Sequence, residues 1–194
     1  YDEKKNNTAS RSGDGLLYRI TYDASGNPVR SDITASGSTA SVRDGGIYRI
    51  RLKYTGKYLT LKNAGTASGT KVVQALFDGG DAQKWRVEKT TDGYYRLRPV
   101  SAATLVLDFD SSDEAVVAGA SGTDSQKLAL IAQSDYTYKL LVKSFATRTL
   151  VTVNYSAQRE AVVALYEMGI ENNPEQEWYF EEAESTCPDT IEEG

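Results

Sequence analysis

Gly79-Gly80-Asp81-Ala82-Gln83-Lys84-Trp85-Arg86-Val87 is the stretch that decides how this chain is read. A polar loop runs into a Gln-x-Trp triplet and then into a short apolar strand. Relatives of the triplet follow: Gln126-Lys127-Leu128 after Ser121-Gly122-Thr123-Asp124-Ser125, and Gln176-Glu177-Trp178 after Glu171-Asn172-Asn173-Pro174-Glu175. The three glutamines stand 43 and 50 residues apart. A mark that recurs at such a period signals a repeat architecture before any single residue signals chemistry.

Working outward from each triplet gives the same order three times. Ile47 to Leu52, Tyr58 to Leu61, Thr70 to Leu76 and Gln83 to Glu88 read as four strands. Tyr94 to Leu97, Leu105 to Asp108, Ala115 to Ala118 and Gln126 to Leu130 make a second set. Tyr138 to Leu140, Leu150 to Val153, Ala161 to Leu165 and Gln176 to Phe180 make a third. Each set opens on Tyr-Arg or Tyr-Lys and ends on the Gln-led strand. Short strands at 8–12-residue spacing, with turn residues between them, predict an all-β barrel or sandwich. Threefold repetition favours a closed form, because closure removes exposed sheet edges. No stretch carries a helical stripe.

The flanks differ in texture. Tyr1 to Gly15 is polar and reads as an extended leader. Leu16 to Tyr22 and Val29 to Ile33, around the turn Asp23 to Pro28, predict a hairpin over 16–33. Thr34 to Ser41 is a Ser/Thr/Gly/Ala-rich linker. The expected division is an extension over 1–43, a repeat domain over 44–182 (repeats about 46–90, 92–134 and 135–182), and an acidic tail over 183–194. The chain opens on Tyr1 rather than Met, which reads as a processed or truncated form.

Composition removes several function classes. The 194 residues carry a net charge of −5 and are 40% hydrophobic. Lys and Arg are dispersed, so nucleic acid is not an expected partner. The longest apolar run, Ala161 to Tyr166, is far too short to span a membrane. There is no histidine, which removes His-based acid–base chemistry and the commonest metal ligand. Cys187 is the only cysteine, so no internal disulfide forms. No metal site and no cofactor are expected. Asp108, Asp110, Asp113 and Glu114 lie in a hydrophilic run with nothing apolar to raise one carboxyl pKa, so the expectation is no enzyme. Asn6-Asn7-Thr8 and Asn154-Tyr155-Ser156 match the glycosylation acceptor pattern.

Three repeats of about 45 residues, each with a Gln-x-Trp near its end (Gln-x-Leu in repeat two), resemble the ricin-type β-trefoil lectin family over roughly 44–182. Repeat one is the closest: Tyr48-Arg49-Ile50, Gly56-Lys57-Tyr58-Leu59, Gly69-Thr70-Lys71-Val72-Val73 and Asp81-Ala82-Gln83-Lys84-Trp85. The resemblance implies an all-β β-trefoil of three four-stranded repeats about a pseudo-threefold axis, with Trp85, Leu128 and Trp178 meeting inside. It also implies sugar sites built from an Asp at the end of the second strand, a ring after the third, and a polar residue just before the Gln. On that pattern the candidate carbohydrate-binding residues are Phe77, Asp81 and Gln83 in repeat one. Repeat two offers Asp108, Asp124 and Gln126. Repeat three offers Asn154, Tyr166, Asn172 and Gln176, with Thr152 at the Asp position. No repeat has the full set. The implied partner is a glycan or polysaccharide, and the implied location is secreted or cell-surface. The alternative is a protein-binding trefoil, such as a protease inhibitor, acting through Asp108 to Ala115 and Met168 to Glu175.

Overall fold

The computed structural model describes residues 8–11, 17–22, 28–32, 42–133, 135–145, 147–169 and 173–183. The chain divides into two units, Tyr1–Ser41 and Val42–Gly194.

In the first unit, strands β1 (Thr8–Arg11), β2 (Leu17–Tyr22) and β3 (Pro28–Asp32) form an antiparallel sheet in that order. The β2–β3 pair is a hairpin with Tyr18 opposite Asp32. Thr8–Arg11, in the stretch expected as an extended leader, pairs with β2 instead.

The second unit holds twelve strands, β4 (Ile47–Leu52), β5 (Tyr58–Leu61), β6 (Val72–Ala75), β7 (Trp85–Lys89), β8 (Tyr95–Pro99), β9 (Leu105–Phe109), β10 (Ala115–Gly119), β11 (Leu128–Ala132), β12 (Tyr138–Val142), β13 (Arg148–Thr152), β14 (Val163–Glu167) and β15 (Trp178–Glu182). No α-helix occurs among the described residues, and none is long and apolar enough to cross a membrane. Six strands pair in the order β4-β7-β8-β11-β12-β15, and β15 returns to β4 with Trp178 opposite Leu52. The ring is therefore closed, and its strand edges are paired as the repetition predicted.

The other six strands form three hairpins, β5–β6, β9–β10 and β13–β14. Their edges meet through three bridges: Lys71 with Val116, Val73 with Val162, and Glu114 with Ala164. Each hairpin thus touches both others, which makes a β-trefoil of barrel plus threefold cap.

The core follows from strand alternation. β4 reads Ile-Tyr-Arg-Ile-Arg-Leu, with Tyr48, Ile50 and Leu52 buried and the intervening residues half-exposed. Three layers repeat: Ile50, Leu97 and Leu140; Leu59, Leu107 and Leu150; Trp85, Leu128 and Trp178. All nine are almost fully buried. The Trp85 Nε1–H donates to the Leu59 carbonyl at 2.9 Å, and the Trp178 Nε1–H to the Leu150 carbonyl at 3.0 Å. Leu128 fills the same place in repeat two with no donor to satisfy.

Candidate functional site

Hairpin register fixes which residues correspond between repeats. Leu59 lies opposite Gln74, Leu107 opposite Val117, and Leu150 opposite Leu165. One step on, the position at the end of the second strand reads Thr60, Asp108 and Val151. This corrects the expectation for repeat three: Thr152 is not the counterpart of Asp108. It is buried, and its hydroxyl donates to the Ser156 carbonyl at 2.8 Å. The ring position reads Ala75, Ala118 and Tyr166, so Phe77 is not the counterpart of Tyr166 but lies two residues further on.

The three glutamines stand behind these positions. Each closes a 3-10 turn, Asp81–Gln83, Asp124–Gln126 or Pro174–Gln176, and each is buried. Gln83 Nε2 donates to the Leu76 carbonyl at 2.7 Å and to Thr60 Oγ1 at 3.3 Å, while its Oε1 accepts from the Asp78 N–H. Gln126 Nε2 donates to Asp108 Oδ2 and to the Gly119 carbonyl, both at 2.9 Å, and its Oε1 accepts from Ser121 N–H. Gln176 bonds the Glu167 carbonyl and the Gly169 N–H. A buried amide must find partners for both ends. Here those partners fix the loop after the third strand, so the glutamines support the site from inside.

Repeat two provides a carboxylate. Asp108 is half-exposed; Oδ1 accepts from the Phe109 N–H at 2.8 Å, and Oδ2 accepts from Gln126. An ionised carboxylate has about four lone-pair sites, so roughly two remain to receive hydroxyl donors. The ring position of this repeat reads Ala118, followed by Gly119, so it brings no aromatic to the carboxylate. Asp124, on the same loop, is exposed and bonded by Lys143 at 3.0 Å and Lys127 at 3.2 Å. Those ammonium groups hold its carboxyl below the usual range. Both lysines also bond Asp92, which is held down further by Thr90, Lys143 and Lys127.

Repeat three provides rings. Tyr155 and Tyr166 lie 5.3 Å apart with planes tilted by 50°. The Tyr166 hydroxyl accepts from the Asn154 N–H at 3.1 Å. Asn154 and Tyr155 both take left-handed backbone, φ 53° and 52°, as Asn63 and Ala64 do in repeat one. The same turn therefore shows a ring in one repeat and a methyl in the other. Asn172 lies outside the described residues.

Repeat one offers Phe77, 61% exposed, beside Leu76, 53% exposed. Asp81 pairs with Lys84 at 2.9 Å, and Thr60 is buried. The sequence showed a Tyr-Arg or Tyr-Lys pair at the start of each repeat without showing the use of its basic residue. Lys139 donates to the Gly169 carbonyl at 2.8 Å, and Arg49 reaches the Gly79 carbonyl at 3.5 Å. In both repeats the cation points at the loop between the third strand and the glutamine.

Among the described residues no group of three or more His, Cys, Asp or Glu side chains is arranged to hold a metal ion. Asp110 and Glu114 both bond Lys71, and Asp113 bonds Arg148.

The family described as "Ricin-type beta-trefoil lectin domain-like" matches residues 39–123. The designed 3-fold symmetric protein ThreeFoil is 31% identical, with 71% of this chain and 99% of that chain covered, at a TM-score of 0.65. A Macrolepiota procera ricin B-like lectin, solved in complex with lactose, is 18% identical over 73% of this chain and 98% of that one, at a TM-score of 0.59. An exo-β-1,3-galactanase from Clostridium thermocellum is 14% identical at a TM-score of 0.66, with 86% of this chain covered but only 38% of the enzyme's. No curated protein matches the chain.

Proposed function

The chain belongs to the ricin-type β-trefoil lectin family, and on that premise we propose that its second unit is a non-catalytic carbohydrate-binding module with its principal contact at Asp108. The observation that supports this most is the double support of the Asp108 carboxylate. Gln126 and the Phe109 N–H each hold one oxygen, which leaves outward lone pairs for two vicinal hydroxyls. Hydrogen bonds to a charged acceptor contribute about 1.5–3 kcal/mol each, enough for weak binding without a deep pocket. In repeat three, Tyr155 and Tyr166 supply the apolar face that sugar C–H groups stack on.

A non-catalytic role is supported by the state of the acidic run. Hydrolysis by a carboxylate pair needs one member protonated near neutral pH. The Lys71 ammonium instead holds the Asp110 carboxyl below its ordinary range, and Glu114 shares that cation. The galactanase pairs a unit of this fold with a much longer chain. A module that tethers other chemistry to a glycan suits the same role here, outside the cell where polysaccharides are met.

The test is a titration of the full chain with lactose, the sugar named for the Macrolepiota procera lectin, beside a glycan array. Asp108→Ala is expected to abolish the signal, and Tyr166→Ala to weaken it. A glycan that binds Asp108→Ala as well as the parent chain removes the assignment of the site. No binding across the array removes the function.

A further inference from the structure

Repeat one lacks both the carboxylate and the ring of the family pattern, yet it carries the most exposed large hydrophobic side chain among the described residues of the trefoil, with a second exposed one beside it. Phe77 is 61% exposed and Leu76 53%. The Phe77 ring is tilted against Tyr58, with centroids 5.6 Å apart, and the Arg49 guanidinium carbon lies 5.2 Å from its centre. The backbone of the loop closes in beside the ring: Gly79 has φ 75°, and a Cβ there would lie 3.8 Å from the ring tip.

The charge of Arg49 is not neutralised within this group. Glu181 lies opposite Arg49 in the β15–β4 register. Its two oxygens, however, are committed to Arg51 at 2.6 Å and to the Tyr58 hydroxyl at 2.9 Å. Among the described residues Arg49 Nε is buried without a hydrogen-bond partner, and Nη2 makes only the 3.5 Å approach to Gly79. The contrast with repeat three is direct. There the equivalent Lys139 is buried and firmly bonded to its loop. In repeat one the cation is half-exposed and lies over an exposed ring.

We propose that Arg49, Tyr58, Leu76 and Phe77 form a second saccharide site, separate from Asp108, and that it takes a sugar bearing a carboxylate, a uronic acid unit of an acidic polysaccharide. The proposal rests on the carbohydrate-binding reading for its class of ligand, but on different residues and opposite charge. A planar guanidinium matches a carboxylate in fork geometry. The open face of Phe77 takes the sugar's C–H face. Asp78, next in the chain, accepts the Gly80 N–H on Oδ1 and is exposed, so its remaining lone pairs are open to hydroxyl donors. The acids Asp78 and Asp81 repel a dense run of carboxylates such as an acidic peptide. One carboxylate per ring, surrounded by hydroxyls, satisfies Arg49 and Asp78 together.

The experiment titrates the full chain with trigalacturonic acid, with a neutral galactose trisaccharide and with a hexaglutamate peptide, following amide NMR shifts and dissociation constants. Trigalacturonic acid is expected to shift residues 76–80, with Phe77→Ala and Arg49→Gln each weakening it about tenfold. Asp108→Ala leaves this binding unchanged. Phe77 is exposed, so Phe77→Ala folds; the melting temperature of Arg49→Gln is measured alongside. The proposal is overturned if trigalacturonic acid does not bind, if the neutral trisaccharide or hexaglutamate shifts the same residues as strongly, or if Phe77→Ala changes nothing. Lactose binding that depends on Asp108 is scored separately, so either site fails without the other.

Discussion

Replacing Gln126 by glutamate tests the support of Asp108 with a magnitude that can be worked out in advance. Gln126 Nε2 lies 2.9 Å from Asp108 Oδ2. Gln126→Glu keeps the shape but puts an oxygen where the donor was. Two ionised carboxylates at about 3 Å repel by roughly 5–6 kcal/mol at an effective dielectric near 20. Taking up a proton costs less. With an unfolded pKa near 4.3, holding the introduced carboxyl protonated at pH 7 costs about 3.7 kcal/mol. The pair therefore takes a proton rather than bear the repulsion, and the folded pKa rises above the unfolded one. The sign follows: the folded variant binds more protons than the unfolded chain, so its deficit is greatest at neutral pH and shrinks as pH falls. The slope is about 1.4 kcal/mol per pH unit between roughly pH 7 and pH 5. One proton cannot replace both amide hydrogens, so the bond to the Gly119 carbonyl stays lost, leaving about 1 kcal/mol at low pH. Urea denaturation of parent and variant at several pH values gives the difference. A deficit that does not change with pH would mean that Gln126 does not hold the Asp108 carboxylate, and the support argued for the site would be wrong.

Trp85→Leu copies the residue found at Leu128. It strands the Leu59 carbonyl and leaves a cavity, so a loss of about 2–4 kcal/mol is expected from urea midpoints. Glu160 bonds the Gln74 carbonyl as Gly69 bonds that of Val117, and Glu160 carries φ 64°. Glu160→Gly removes that left-handed strain and should raise the melting temperature, by about 0.5–1 kcal/mol of stability after the entropy of glycine is counted. The Asp92 carboxyl, bonded by Thr90, Lys143 and Lys127, should titrate by carbon NMR below the ordinary aspartate range. Because its folded pKa is depressed, its contribution is present above the unfolded value of about 3.9 and is lost as pH falls through the folded one. A normal midpoint for Asp92 would mean that the ammonium contacts are absent in solution.

The triplets made the architecture legible, because a buried Trp or Leu at a fixed place in three copies records bulk. The site was legible only in part. Thr152 is the polar residue of its strand and so reads as the counterpart of Asp108, but pairing gives that place to Val151. Phe77 draws the eye as the only ring in its loop, yet register gives that place to Ala75. Arg49, Arg96 and Lys139 stood in plain view as a repeated Tyr-Arg or Tyr-Lys, but a cation reaching toward a carbonyl thirty residues away, firmly from Lys139 and loosely from Arg49, leaves no local signature. Thr8–Arg11 lacks the apolar alternation that would mark it as a strand, and only its pairing with β2 reveals it.

The closure of β15 onto β4 has a further consequence. Arg43 pairs with Glu182, and the Ala183 N–H donates to the Ile47 carbonyl, so the trefoil is entered and left at one point on its rim. A short peptide joining the two would turn the polypeptide into a loop without a beginning. It could then be cut at Thr91–Gly93, between the first copy and the second, and fold as a circular permutant with its strand order rotated. A chain that enters and leaves at one point can also sit inside a surface loop of a host protein, opening that loop by only a few ångströms.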